Sequence, residues 1–124
     1  MENGKIRSFT DLNAWKEGHS LVLSIYKITE NFPIKERFGL TSQIRRAAVS
    51  ITSNISEGFN RESIKEKIQF YSIARGSLAE AQNQLLIAKD IGFLNEDNFS
   101  ETANKTVIVS KLINGLIKSL KNFL

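Results

Sequence analysis

A chain of 124 residues, 41% apolar and carrying a formal charge of +4, fits one globular domain that buries roughly two-thirds of its unfolded surface. It holds no cysteine and one histidine, which excludes disulfides, thiolate nucleophiles and Cys- or His-rich metal sites, so no metal and no cofactor are expected. No signal-peptide pattern follows Met1, and no apolar run approaches the roughly 20 residues of a membrane helix. A cytoplasmic protein without a membrane partner is the expectation.

Residues 1–9 are polar, contain one glycine and lack periodicity. They read as a flexible lead-in to a single domain over 10–124. Thr10 or Asp11 is placed to cap a first helix, about 11–31. Leu12, Trp15, His19, Val22, Tyr26 and Thr29 recur at helical spacing as its inner row, with a second apolar row at Leu21, Ile25, Ile28 and Phe32. His19, beside Trp15 on that row, reads as a packed core residue and not as a base. Pro33, the sole proline, ends the helix because the residue before a proline is pushed out of helical geometry.

A second helix is predicted over about 36–60. Leu40, Ile44, Ala47, Ile51 and Ile55 share its apolar face, bordered by a wholly polar stripe of Gln43, Arg46, Ser50, Asn54 and Glu57. Ser63 and Glu66 form a capping-box pattern for a third helix, about 64–91. Its inner row is Ile64, Ile68, Tyr71, Ala74, Leu78, Ala81, Leu85 and Ala88, and Gly92 is the natural residue after its end. Asn95 caps a fourth helix, about 96–122, with Phe99, Ala103, Thr106, Ser110, Ile113, Ile117 and Leu120 inward. No segment alternates with period two. The fold class is therefore all-α, an antiparallel up-down-up-down four-helix bundle.

Two helices carry more apolar surface than one bundle face needs. Phe70, Ile73, Leu86, Ile87 and Ile91 lie off the main stripe of the third, while Val107, Ile108, Val109 and Leu112 widen that of the fourth. Contiguous exposed apolar surface marks an interface, so the first five are candidates for a homo-oligomer contact.

Folding the second helix back on the third near 61–62 sets Gln43 level with Glu80 and Arg46 level with Ser77. Ala47 and Ala48 then face 74–76, where Gly76 would let two backbones approach. Gln43, Arg46, Ser50, Asn54, Glu57, Ser77 and Glu80 read as a structural polar network in which Glu80 pairs with Arg46 or Gln43. Paired carboxylates can do acid–base work. A helix seam is no cleft, however, and no nucleophile, metal set or Gly-rich phosphate loop lies nearby, so no catalytic residue and no enzyme are expected.

Beyond Glu101 come Lys105, Lys111, Lys118 and Lys121 and no acid. Such cations complement the dipole of a helix C-terminus, or they form an electropositive surface for nucleic acid. Lys111, Lys118 and Lys121 share a helical face and, with Arg45, Arg61 and Lys65, are the candidate phosphate contacts. Few aromatic residues fall outside the inner rows, so little base readout is expected.

The run Gln43-Ile44-Arg45-Arg46-Ala47, then Ser50-Ile51, Asn54-Ile55-Ser56-Glu57-Gly58 and Gly76-Ser77-Leu78 with Glu80, resembles the family of small four-helix proteins encoded in intervening sequences of bacterial 23S rRNA genes. Asp11-Leu12 with Trp15, Phe32-Pro33 and Ile91-Gly92-Phe93-Leu94 are similar too, so the likeness covers nearly the whole chain; Gly18 departs from it. The resemblance implies a left-handed bundle assembling as a homopentamer, with no established enzymatic activity. It also implies kinship with the accessory variability protein of diversity-generating retroelements, a basic pentamer that binds nucleic acid and a reverse transcriptase. The expected function is thus a non-enzymatic oligomer that binds RNA or DNA. The alternative is a structural module whose oligomer docks a partner protein without touching nucleic acid. What separates them is whether Arg45, Arg61, Lys65 and the lysines of the fourth helix gather on one face.

Overall fold

The computed structural model describes residues 5–124. Residues 1–4 of the expected lead-in lie outside the described residues, and the lead-in ends in an ordered turn. Ser8, with extended backbone, caps a 3-10 turn over Phe9–Asp11, its hydroxyl accepting the Thr10 N–H at 3.2 Å. The Asp11 carboxylate accepts the N–H groups of Arg7 and Ser8 at 2.9 and 3.1 Å. Ser8 caps this turn alone; the residue before α1 is Leu12, which makes no side-chain cap bond, so neither Thr10 nor Asp11 caps the first helix as predicted. Helix α1 follows over Asn13–Thr29.

Four helices are present and no strand occurs among the described residues. After Pro33 a 3-10 turn occupies Ile34–Glu36, and α2 spans Leu40–Asn60. That start is later than the predicted 36 for a clear reason. Glu36 stays outside the helix, where its Oε1 accepts the Leu40 N–H at 3.1 Å and serves one of the free donors of the first turn. Helix α3 covers Ile64–Asp90, with the Ser63 hydroxyl accepting the Glu66 N–H. Gly92, at φ 86°, closes it, and the Phe93 N–H reaches back to the Ala88 carbonyl at 2.9 Å. Helix α4 covers Glu96–Lys121, where Asn95 Oδ1 accepts the Asn98 N–H at 2.8 Å.

Each helix packs on its neighbours in sequence and α1 also packs on α4, while the backbones of α2 and α4 do not come close. This closed ring of contacts around one core is compatible with a four-helix bundle. Leu21, Ile25, Ile44, Ile51, Ile55, Leu78, Leu85 and Ile113 are almost wholly withdrawn from water, each contributing roughly 1.5–3 kcal/mol by burial. The inner row of α1 differs from the predicted one. It runs Ala14, Gly18, Leu21, Ile25 and Thr29, whereas Leu12, Trp15 and Val22 are half-buried and His19 and Tyr26 are exposed. His19 is not a core residue: it stacks on Trp15 at 4.7 Å from the rim, and Phe9 meets the same indole edge-on at 5.5 Å. In α4 the inner row passes through Thr102 and Val109, not Ala103 and Ser110.

At Gly58, α3 lies tightly against α2. A Cβ there would lie 2.7 Å from Tyr71 Cε1 and 3.1 Å from Phe70 Cβ. Gly76, predicted to fill this role, is exposed, and a Cβ on it would meet nothing within 4 Å.

Candidate nucleic-acid interface

The polar stripe of α2 divides into an inner and an outer part. Ser50 Oγ and Ser77 Oγ lie 2.7 Å apart, and Asn54 Nδ2 donates to the Ser50 carbonyl at 2.8 Å and to its hydroxyl at 3.1 Å. Ser77 thus lies level with Ser50, one turn beyond the predicted partner Arg46. Gly58 explains the shift, because α3 slides along α2 until the Tyr71 ring seats on the glycine, and the midpoint of the connecting loop does not set the register. Glu80 accepts instead from Gln84 Nε2 on its own helix at 3.3 Å, and no hydrogen bond joins it to Gln43 or Arg46. The predicted cross-helix pair is corrected accordingly. Gln43 and Arg46 are exposed. Glu57 pairs with Arg61 at 2.9 Å on the surface, where such a pair adds about 0–1 kcal/mol. Gln84, which periodicity does not single out, is buried with its Oε1 unpartnered.

The six basic candidates do not gather on one face. Arg45 lies on the α1–α2 seam. Its Nε donates to Thr29 Oγ1 at 2.8 Å, its Nη2 to the Tyr26 carbonyl at 3.4 Å, and its guanidinium sits 4.6 Å from the Tyr26 ring centroid. Arg61 is engaged by Glu57 and covers the Phe70 ring at 4.6 Å. Lys65 is exposed at the start of α3, and Lys111, Lys118 and Lys121 are exposed along α4. Among the described residues Glu57–Arg61 is the sole ion pair, so the α4 lysines carry uncompensated charge.

A further cation joins them. Arg75 Nη1 on α3 donates to Asn114 Oδ1 at 3.1 Å, which brings a guanidinium to the stretch of α4 between Lys111 and Lys118. The sequence holds Arg75 in plain view, but its partner depends on the register of α3 against α4, which periodicity does not supply. Two other lysines are occupied structurally. Lys67 Nζ donates to the Phe59 carbonyl at 2.6 Å, at the end of α2, and Lys105 Nζ donates to Ser20 Oγ at 2.9 Å.

Of the apolar candidates, Ile73, Leu86, Ile87 and Ile91 are exposed and Phe70 is half-buried. Val107 and Ile108 are exposed as well, whereas Val109 is fully buried and Leu112 packs on the core. Leu86 and Val107 border a groove of about 270 Å³ between α3 and α4, floored by Leu85, Phe99 and Ala103. Among the described residues no group of three His, Asp or Glu side chains converges to hold a metal ion. No described helix is long and apolar enough to cross a membrane.

These features define a small all-helical protein with an uncompensated basic edge on α4 and an apolar groove beside it. The chain belongs to the 23S rRNA-intervening sequence protein family, whose model matches residues 10–115. It is also similar to a crystallised protein of unknown function from the S23 ribosomal protein family of Bacteroides thetaiotaomicron VPI-5482. That protein is 20% identical, with a TM-score of 0.79 over 85% of this chain and 95% of the other. At this identity the likeness shows the fold. No curated protein matches the chain.

Proposed function

We propose that the protein is a non-enzymatic, antiparallel up-down-up-down bundle that assembles as a homo-oligomer and binds RNA or DNA through phosphate contacts on α4. The observation that carries this reading is the exposed set Lys111, Lys118 and Lys121, unpaired with any carboxylate among the described residues and joined by Arg75 through Asn114. Flexible ammonium groups along one helix suit a phosphate backbone, which demands charge and little geometry. A homopentamer, the number implied by the family likeness, would repeat the basic edge in a ring, and repetition of weak sites raises avidity without strengthening any one of them. A cytoplasmic location and the kinship with the accessory variability protein belong to the same proposal.

The test is light scattering followed by a salt-dependent binding assay on the same sample. Binding should be weakly sequence-dependent and should fall steeply with salt. Charge reversal at Lys111 and Lys118 lowers affinity for all sequences alike and flattens the salt slope by about 0.9 for each phosphate no longer neutralised. Leu86→Glu should break the assembly while leaving helicity unchanged. A monodisperse 14.0 kDa wild-type monomer overturns the oligomer. Absence of binding to any single- or double-stranded nucleic acid at about 50 mM salt, a condition that favours phosphate contacts, overturns the nucleic-acid reading. The exposed Leu86–Val107 groove favours the second reading in that event, an oligomer that docks a partner protein.

A further inference from the structure

We propose a phosphate-binding site in the groove between α1 and α2, with Arg45 as its fixed donor and Arg46 as its mobile one. The groove, about 360 Å³, is lined by Tyr26 of α1 and by Arg45, Arg46, Val49, Ser50 and Ser53 of α2, with no residue of α4 in its lining. The site does not rest on the nucleic-acid reading of α4.

Arg45 is already ordered before any ligand arrives. Thr29 Oγ1 holds its Nε, the Tyr26 carbonyl holds one Nη2 hydrogen, and the Tyr26 ring lies against the guanidinium. Two of its five N–H donors are used, which leaves three pre-oriented, with most of the side-chain entropy already surrendered to the fold. Arg46 is exposed and makes no hydrogen bond among the described residues, so its five donors are free to close on a ligand. Ser53 likewise has an unengaged hydroxyl. Ser50 is more particular. Its oxygen accepts from Asn54 Nδ2, and the Ser77 hydroxyl stands 2.7 Å away. When Ser77 donates to Ser50, the Ser50 O–H is released toward the groove.

The lining therefore presents many donors, two positive charges and no carboxylate. Glu80, one turn beyond Ser77 on α3, accepts from Gln84. Glu57, one turn beyond Ser53, is held by Arg61, and Glu30 is exposed just past the end of α1. A carboxylate ligand has two oxygens and would leave most of these donors idle. A phosphate ester offers three or more oxygens in a tetrahedral array and suits two guanidinium groups approaching from different sides. The apolar rim of Val49 and Tyr26 leaves the remainder of the ester undetermined, so the phosphate can come from a free nucleotide or from a polynucleotide backbone.

The test is an NMR titration of the full chain, following the Arg45 Nε–H and the Ser50 and Ser53 amides. Three probes are used in turn: inorganic phosphate, adenosine 5′-monophosphate and single-stranded octauridylate. Inorganic phosphate at millimolar concentration, a range expected of a small anion site, should shift these signals. Arg46→Gln, at an exposed position without partners, should weaken the effect about tenfold or more, as removal of a charge-assisted hydrogen bond predicts. Arg45→Lys should weaken it too, and Lys16→Gln, at an exposed residue near the far end of α1, should leave it unchanged. A much tighter response to the monophosphate assigns a free nucleotide, and a much tighter response to octauridylate assigns a polynucleotide backbone; either supports the site. If none of the three probes moves these signals, or if Arg46→Gln titrates like the wild type, the site does not exist. Loss of octauridylate binding on charge reversal at Lys111 and Lys118, with the phosphate shifts at Ser50 and Ser53 retained, would separate the α4 interface from this one.

Discussion

Gly58 and Gly76 should respond to alanine with opposite signs. Both lie inside helices, where alanine is favoured over glycine by up to about 1 kcal/mol, and less near a helix end such as Gly58. At Gly76 nothing opposes that gain, because a Cβ there meets no atom within 4 Å. Gly76→Ala should therefore stabilise by about 0.5–1 kcal/mol. At Gly58 the new methyl would stand 2.7 and 2.9 Å from two ring carbons of Tyr71, against an optimal separation of about 3.5–4.0 Å. The ring belongs to a buried residue, 3% exposed, and the methyl also meets Phe70 Cβ, which moves only with the α3 backbone. Overpacking of this kind costs about 1–3 kcal/mol. After the propensity gain, Gly58→Ala should destabilise by about 1–2 kcal/mol, a fall of several degrees in Tm. Urea unfolding followed by circular dichroism, at one fixed protein concentration because assembly shifts apparent stability, measures both. A Gly58→Ala protein as stable as the wild type would refute the close approach. A destabilised Gly76→Ala would show that Gly76 faces a neighbour after all.

Two further outcomes follow from single side chains. The backbone N–H of Arg7, then that of Ser8, holds the Asp11 carboxyl below its ordinary value of 3.8. A carboxyl depressed in the folded state stabilises above its unfolded value, and that contribution is lost as pH falls through the folded one. The Ser8–Asp11 turn should thus loosen below about pH 4; an Asp11 carboxyl-carbon titration centred at or above 3.8 contradicts this, and Asp11→Asn should abolish the dependence. Gln84 is 6% exposed and leaves Oε1 buried without a partner. An unsatisfied buried polar group costs about 1–3 kcal/mol, while the bond Gln84 Nε2 gives to the exposed Glu80 is long at 3.3 Å. Gln84→Met, similar in volume, should therefore raise the urea midpoint, and a lowered midpoint would mean that the bond to Glu80 outweighs the stranded Oε1.

Helix existence was legible because it depends on neighbours in sequence. The apolar row of α2 and most of that of α3 are inward as periodicity predicts, and the caps at Ser63 and Asn95 and the left-handed Gly92 act as their residue types dictate. Row choice failed in α1, where two apolar rows compete. The row containing Trp15 and His19 looks richer, yet the smaller row wins because Gly18 and Ala14 let α1 come close to α2, with Thr52 Cγ2 only 3.1 Å from where a Gly18 Cβ would be. Aromatic bulk on the losing row then serves the rim, where Phe9, Trp15 and His19 stack. Register between helices was not legible for the same reason. It is set by which knob meets which gap, and the gap at Gly58 is visible as a gap once Tyr71 lies opposite.

The functional surface follows from that register, and this is why charge alone misled. Six basic residues counted together suggest one patch, but each helix offers its cations to the seam its own packing creates. Arg45 is one residue from Arg46 in sequence, and 100° of helix rotation puts one guanidinium against Thr29 and Tyr26 while the other stays free. On α4 the lysines stand apart from that seam, and Arg75, delivered by α3, joins them. The result is two electropositive places of different kind. The α4 edge is a run of flexible ammonium groups suited to any phosphate chain, while the α1–α2 groove holds Arg45 pre-ordered beside Ser50, whose hydroxyl accepts from Asn54 Nδ2 and meets that of Ser77. Salt should therefore act on them unequally. Exposed lysine contacts are screened over about 8–10 Å at ordinary ionic strength, whereas a partly buried guanidinium fixed by hydrogen bonds is screened much less. The polar stripe that looked like one network thus has two faces, an inner one that locks α2 to α3 and an outer one that leaves Arg46 free to bind.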